Sequence, residues 1–390
     1  MDNAVKIGFT GDLMCQMQQI WAARGNPKAY VESLACMIAP LSSCDYVIGN
    51  LETPVAGHRF AFEETRFNAP DAFLEAIREA GFDFLSTANN HCLDRGVRGV
   101  DATIGKLDAL GLRHTGTYRT SGEAKQPCVL NVKGLRIGVV SCTFETNQGR
   151  RSDLLPENMS WKVDRIAAAK PYEVTWGFVI RRFFKGLLPY RLKQFLKDKF
   201  RGVQRAGESY LADCAGSEAI DSDSNKPYVE SVASKIRQAK SVSDLVVVLP
   251  HMGGQYNPEP GPYQKWTVRW MADAGADLIV CNHAHTVLQS ETLPNGTFVA
   301  YALGNFSLTP GVGYYRRGCQ ADYSVVLNVW IDAETKKICR KSFSVTENVL
   351  RKDGVSVVRP ANADSPETKA VVRRFAGKDI EIGKDGEYEL

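Results

Sequence analysis

Short apolar runs that end in polar clusters constrain this chain more than any other feature. Residues 245–249 and 278–280 are two of them; His251 follows the first, and His283 and His285 follow the second. Runs this short, without polar alternation, read as strands buried on both faces of a sheet. In open α/β sheets, ligands gather outside the carboxyl ends of the strands. The three imidazoles therefore point to one shared site. A lone histidine after a strand is more often a loop or core residue. His-x-His changes this, because it offers two ring nitrogens to one small volume, as a metal requires.

Upstream, the pattern repeats. Residues 5–9 form an apolar run followed by Asp12, which on local grounds reads equally as a helix N-cap or a ligand. Residues 45–48 lead to Asn50 and Glu52, and residues 82–85 lead to Asn89, Asn90 and His91, with Asp94 beyond. Helical spacing covers about 30–41, 71–80, 99–110, 228–240 and 264–274. Residues 127–132 and 135–142 read as a hairpin turning at Lys133-Gly134, and 323–331 and 341–348 as a second β pair. Strands alternating with helices predict an α/β sheet protein. Five strand ends carry polar residues; coincidence explains each cluster singly but not the set.

A carboxylate, amide and imidazole mixture suits a borderline or harder divalent ion, Mn, Fe or Zn. One or two ions there would serve hydrolysis, and His91 near its pKa suits proton transfer to a leaving group.

From about 150 to 227 the sheet pattern stops. Residues 173–206 are basic and aromatic, with Arg181 and Arg182 among them and Lys193, Lys197, Arg201 and Arg205 at helical spacing. This reads first as an amphipathic insertion with a solvated basic face. A lid that draws an anionic substrate, or a peripheral contact with an anionic membrane, comes next. Residues 351–390 read as a charged C-terminal extension, its last ten or so residues weakly ordered. The expected plan is thus one domain over 1–350, interrupted by the insertion, plus this extension.

A formal charge of +4 over 390 residues gives no support to nucleic-acid binding. The start, MDNAVKIGFTGDLM, lacks a charged segment followed by an apolar one, and no run approaches the length of a membrane span. Ten cysteines without a CxxC pair fit reduced thiols. The expectation is a cytoplasmic protein.

The motifs Gly11-Asp12-Leu13-Met14, Asn50-Leu51-Glu52-Thr53-Pro54, Ala88-Asn89-Asn90-His91 with Asp94, His251-Met252-Gly253, His283-Ala284-His285-Thr286 and Gly304-Asn305-Phe306 stand in a fixed order. In that order they resemble the CapA/PgsA capsule-synthesis family of poly-γ-glutamate biosynthesis proteins, similar in turn to calcineurin-like metallophosphoesterases. The resemblance implies a layered fold of central β-sheets flanked by helices. It puts Asp12 and His285 on one ion and Asn90, His251 and His283 on another, with Glu52 or Asn50 near the bridging position. It gives His91 and Asp94 the catalytic role. Asn89 and Asn305, with Arg181 and Arg182 of the insertion, are the expected substrate contacts. Met14 stands where the phosphoesterases have a histidine, which allows for a single ion. The implied activity is a metal-dependent hydrolase acting on an anionic small or oligomeric substrate, through a phosphoester or a γ-glutamyl-type amide. The alternative is a non-catalytic accessory protein of polymer assembly that docks on a membrane partner.

Overall fold

A computed structural model describes residues 3–59, 61–62, 66–147, 154–168, 223–311 and 319–390. In chain order, β1 (Ala4–Leu13) is followed by helices α1 (Met17–Ala23), α2 (Lys28–Leu34) and α3 (Ile38–Ser42). Next come β2 (Tyr46–Leu51), α4 (Asp71–Glu79), β3 (Phe84–Ser86), α5 (Gly96–Ala109) and β4 (Arg113–Thr115). The hairpin β5 (Cys128–Val132) and β6 (Leu135–Thr143) precedes α6 (Lys226–Val242), β7 (Leu245–His251), α7 (Pro262–Asp273) and β8 (Leu278–Val280). Last are β9 (Ser290–Thr292), β10 (Phe298–Ala300), β11 (Asn305–Ser307), β12 (Tyr323–Asp332), β13 (Ile338–Leu350), β14 (Ser356–Pro360), α8 (Pro366–Ala376) and β15 (Tyr388–Glu389).

The strands form two sheets. One runs β14-β13-β12-β1-β2-β3-β4, with β11 also on β1 and β15 on β13; the other runs β5-β6-β7-β8-β10-β9. The β1-β2-β3-β4 and β6-β7-β8-β10 segments are parallel, so their carboxyl ends line up.

Side-chain alternation explains why the runs carry no polar residues. Along β7, Leu245, Val247 and Leu249 enter a core shared with Ile7, Phe9, Ile48 and Phe84 of the other sheet. Val246 and Val248, facing the opposite way, join Val232 and Ile236 of α6 and Val268 and Met271 of α7. On the first sheet Val47, Leu51 and Leu85 likewise turn outward to Leu34 and Phe73 of α2 and α4. Both faces of each sheet are therefore covered, giving helix, sheet, sheet and helix layers, the layered plan that the family resemblance implies.

Three differences are informative. The helical spacing over 30–41 resolves into α2, a 3₁₀ turn and α3 rather than one helix. Residues 351–390 are built into the body: β14 and β15 pair with β13, while Val371, Val372, Phe375 and Tyr388 enter the shared core. The expected weak order at the C-terminus is thereby corrected, because Tyr388 stacks on Phe343 and is buried. The described ends of the 150–227 segment are also integral. Val163 and Arg165 bridge to Thr117 and Thr143, and Asn225 accepts a hydrogen bond from the Ala168 amide. Arg181, Arg182 and the whole of 173–206 lie outside the described residues. Among the described residues no helix is long and apolar enough to cross a membrane.

Candidate metal centre

Strand pairing delivers the polar clusters to one place. Asp12 lies within β1, in register with Asn50 on β2 and with Asn305 on β11, so it is a strand residue and not a helix cap. This close approach requires Gly11, where a Cβ would stand 2.0 Å from the Gly304 carbonyl oxygen. In the second sheet His251 is flanked by Thr143 on β6 and by Asn282. The loop after β8 then carries His283 and His285, both in the left-handed region at φ 100° and 54°. Such backbone costs about 1–3 kcal/mol per residue and persists where its surroundings hold it. Here Asp12 Oδ2 accepts from the His283 amide at 3.3 Å, and the Ala284 carbonyl accepts from Tyr256 at 2.7 Å.

Three acceptors crowd one imidazole nitrogen. Around His251 Nε2 lie Asn90 Oδ1 at 2.9 Å, His283 Nδ1 at 3.0 Å and Glu52 Oε1 at 3.3 Å. A single N–H serves one of these well. Ligand atoms about 2.1 Å from a common ion are spaced by about 3 Å, which is the spacing seen. Glu52 also lies 3.8 Å from His285 Nε2, and Asp12 Oδ2 is 3.6 Å from His285 Nδ1. Glu52 is thus common to two groups, Glu52–His283–His285 and Asp12–Glu52–His251, each with its ligand atoms within 4.8 Å. The two groups pair His283 with His285 and Asp12 with His251, a different division from the expected Asp12–His285 and Asn90–His251–His283 sets.

The electrostatics of this cluster are those of a site built around a cation. Glu52 is fully enclosed and neither of its oxygens has a hydrogen-bond partner; the enclosed Asn50 Oδ1 also has none. Burial pushes the Glu52 carboxyl above the usual carboxylate range, against the pull of His285 and His91. Burial, and then Glu52, drive Asp12 well up too. Burial, followed by the neighbouring imidazoles, holds His251 and His283 well below the ordinary histidine value, so they are neutral and able to ligate. Two buried carboxylates beside the neutral imidazoles of His251 and His283 make a donor set that a divalent ion fits.

Asn50 acts here as a donor, its amide lying 2.7 Å from Asp12 Oδ1 and 3.1 Å from His251 Nδ1. Asn305 and Asn89 sit differently from the expected substrate contacts. Asn305 is enclosed behind His285: its Oδ1 faces Nδ1 at 2.9 Å, and its amide donates to the His285 and Ala321 carbonyls. With that amide committed to donation, Oδ1 accepts from His285 Nδ1–H and leaves Nε2 free to face Glu52. Asn89, also enclosed, donates to the Leu51 carbonyl at 2.7 Å and accepts from the His91 amide at 3.1 Å. Both are corrected to positioning residues, because neither reaches the cleft. Met14 is no ligand either; it packs with Phe67 and Leu308.

His91 is set apart from the cluster. Its Nδ1 lies 2.7 Å from Asp94 Oδ2, and its ring stacks on Phe67 at 4.2 Å. Burial opposes its protonation, but Asp94, Glu52 and Asp12 outweigh burial and raise its pKa. With Nδ1–H held by Asp94, Nε2 is the end that exchanges protons. Asp94 Oδ2 also accepts from the Phe67 amide at 2.6 Å, so Asp94 orients His91 from behind. A cleft of about 280 Å³ opens over the cluster, lined by Asn90, His251 and His283 together with Thr143, Asn147 and Gln255. Sequence reasoning missed Asn147, whose side chain reaches His91 Nδ1 at 3.2 Å and Asn90 at 3.4 Å. A single asparagine in a loop carries no local signal.

The sequence profile of the family described as "Bacterial capsule synthesis protein PGA_cap" matches residues 6–309. The chain is 25% identical over 396 residues to the PGA biosynthesis protein CapA of Bacillus subtilis (strain 168), covering 98% of this chain and 82% of that protein. It is 27% identical over 277 residues to the capsule biosynthesis protein CapA of Bacillus anthracis, covering 70% of this chain and 52% of that protein, about half its length. Similar solved structures include one described as a novel phosphatase from Mycoplasma pneumoniae, at 13% identity and TM-score 0.40, covering 88% of this chain and 93% of that one. Another is TT1561 of Thermus thermophilus, at 11% identity and TM-score 0.34, covering 86% of this chain and 97% of that one. With most of its length matched, this chain belongs to the bacterial capsule synthesis family PGA_cap.

Proposed function

We propose that this member of the capsule-synthesis family is a metal-dependent hydrolase of an anionic substrate, acting in poly-γ-glutamate or capsule metabolism. One observation carries the reading: Glu52, fully enclosed and without a hydrogen-bond partner on either oxygen, is shared by two groups of ligand atoms. Asp12, Glu52, Asn90, His251, His283 and His285 would hold the ion or ions. A divalent ion there supplies a Lewis acid that polarises a phosphoryl or carbonyl oxygen and acidifies water.

The chain's own residues do the rest. Asn305 and Asn50 orient His285 and Asp12. Asn89 fixes the loop that carries Asn90 and His91. His91, its Nδ1 held by Asp94, presents Nε2 as the proton donor to a leaving group. The bond is a phosphoester or a γ-glutamyl-type amide, and Lewis-acid polarisation serves both.

The test is turnover of para-nitrophenyl phosphate and of γ-glutamyl-para-nitroanilide by Mn-, Fe- or Zn-loaded protein, wild type beside His91→Asn. Release from one substrate, falling about 10²–10⁴-fold in the variant while its metal content stays unchanged, is expected. Absence of turnover of both substrates by loaded protein would overturn the hydrolase reading and leave the non-catalytic accessory role.

A further inference from the structure

Beyond β6 the chain crosses from one proposed ligand to another. The Phe144 amide donates to the His251 carbonyl at 3.0 Å, and the Asn147 amide donates to the Asn90 carbonyl at 2.7 Å. Between them the Thr143 hydroxyl donates to the Glu145 carbonyl at 2.9 Å. This stitching fixes the Asn147 backbone beside the metal centre. Asn147 is half-buried, and it lines the cleft together with Asn90, His251 and His283.

The oxygen and nitrogen ends of an amide are told apart by the hydrogen bonds they can make. Asn90 turns Oδ1 to His251 Nε2 at 2.9 Å, inside the group of ligand atoms, so its Nδ2 faces outward. That Nδ2 lies 3.4 Å from Asn147, which therefore presents Oδ1 as the acceptor. Asn147 Nδ2 is left as the donor end. Its one hydrogen-bond neighbour among the described residues is His91 Nδ1 at 3.2 Å, and the proton on that nitrogen faces Asp94 Oδ2 at 2.7 Å. A protonated Nδ1 accepts nothing. The Asn147 N–H groups thus lack an acceptor among the described residues, at the cleft wall, between a proposed ligand and the proposed proton donor. We propose that Asn147 donates a hydrogen bond to an oxygen of the anionic group seated in the cleft, the phosphoryl or tetrahedral carboxyl oxygen on which charge builds during hydrolysis. A donor held in place before the anion arrives needs no reorganisation to meet it. The inference rests on the hydrolase reading for the reaction, and on the cleft alone for the binding.

The test is calorimetric titration of inorganic phosphate into the metal-loaded full chain, wild type beside Asn147→Ala and Asn147→Asp, with metal content measured for each. Aspartate keeps the shape of the side chain and its acceptor for Asn90, but it loses the donor and places a charge beside the anion. Wild type is expected to bind phosphate, Asn147→Ala about tenfold more weakly, and Asn147→Asp more weakly still, with metal content unchanged. An Asn147 needed only to hold Asn90 gives the reverse order, with Asn147→Asp close to wild type and Asn147→Ala impaired; that order would overturn the proposal. So would equal binding by all three, no binding by wild type, or loss of metal from Asn147→Asp in step with phosphate. Turnover supplies a second reading. On whichever para-nitro substrate is cleaved, Asn147→Ala is expected to lower kcat about 10²–10³-fold, and an unchanged kcat would count against the donor. Wild type that binds phosphate in the expected order but cleaves neither substrate would sink the hydrolase reading and leave this donor standing.

Discussion

Asp164 and Glu52 are both buried carboxylates, and the fold treats them in opposite ways. Asp164 has a lysine at 2.6 Å and a tyrosine hydroxyl at 2.5 Å, so its charge and its lone pairs are answered within the chain. Glu52 has no hydrogen-bond partner; its surroundings are Asp12, the neutral His251 and His283, and His285. For both, burial is the leading cause that raises the carboxyl pKa, but for Asp164 a cation in direct contact leads the opposing causes. A buried acid whose partners are all supplied is part of the frame. A buried acid left without them is a place for something to bind.

The largest effect that sharpens this contrast is on stability. Lys235→Met leaves Asp164 uncompensated and is expected to cost about 3–5 kcal/mol in urea unfolding. Glu52→Gln, made in chelated protein, removes an unanswered charge and is expected to leave stability unchanged or raised. A large loss from Glu52→Gln without metal would erase the distinction.

A smaller effect concerns the support behind a ligand. Asn305→Ala frees the His285 ring to rotate and is expected to weaken metal affinity about 10–100-fold, measured by competition with a chromophoric chelator. Unchanged affinity would show that Asn305 merely fills space.

The smallest effect is at His114, an intermediate case: Nε2 faces Asp108 at 3.2 Å, while Nδ1 is enclosed without a partner. Burial lowers its pKa, against the pull of Asp108. As pH falls below about 6.5, the unfolded chain takes up a proton that the folded one resists, so stability declines with it. Chelated His114→Gln should lose less stability than wild type between pH 7.5 and 5.5. An identical pH dependence would contradict the assignment.

The sequence reveals the site better than its surroundings. Asp12, Glu52, Asn90, His251, His283 and His285 each follow a run whose double-faced burial is legible from its apolar composition. Parallel strands then bring such ends together. What local pattern does not carry is pairing between distant segments. Asn305 reads as a cleft residue until β11 is seen beside β1, placing it behind His285. Residues 351–390 read as an extension because their apolar residues are few. Val357, Val358, Phe375 and Tyr388 are nonetheless enough to fill gaps left by β13 and its neighbours. Asn147 belongs to no motif, and only the completed fold shows what it faces.

The most direct test is elemental analysis of the purified full chain, wild type beside Glu52→Gln and Asp164→Asn. The account predicts one or two equivalents of Mn, Fe or Zn in wild type, near-complete loss in Glu52→Gln, and retention in Asp164→Asn. Absence of metal from wild type even after reloading, or equal retention in Glu52→Gln, would contradict it.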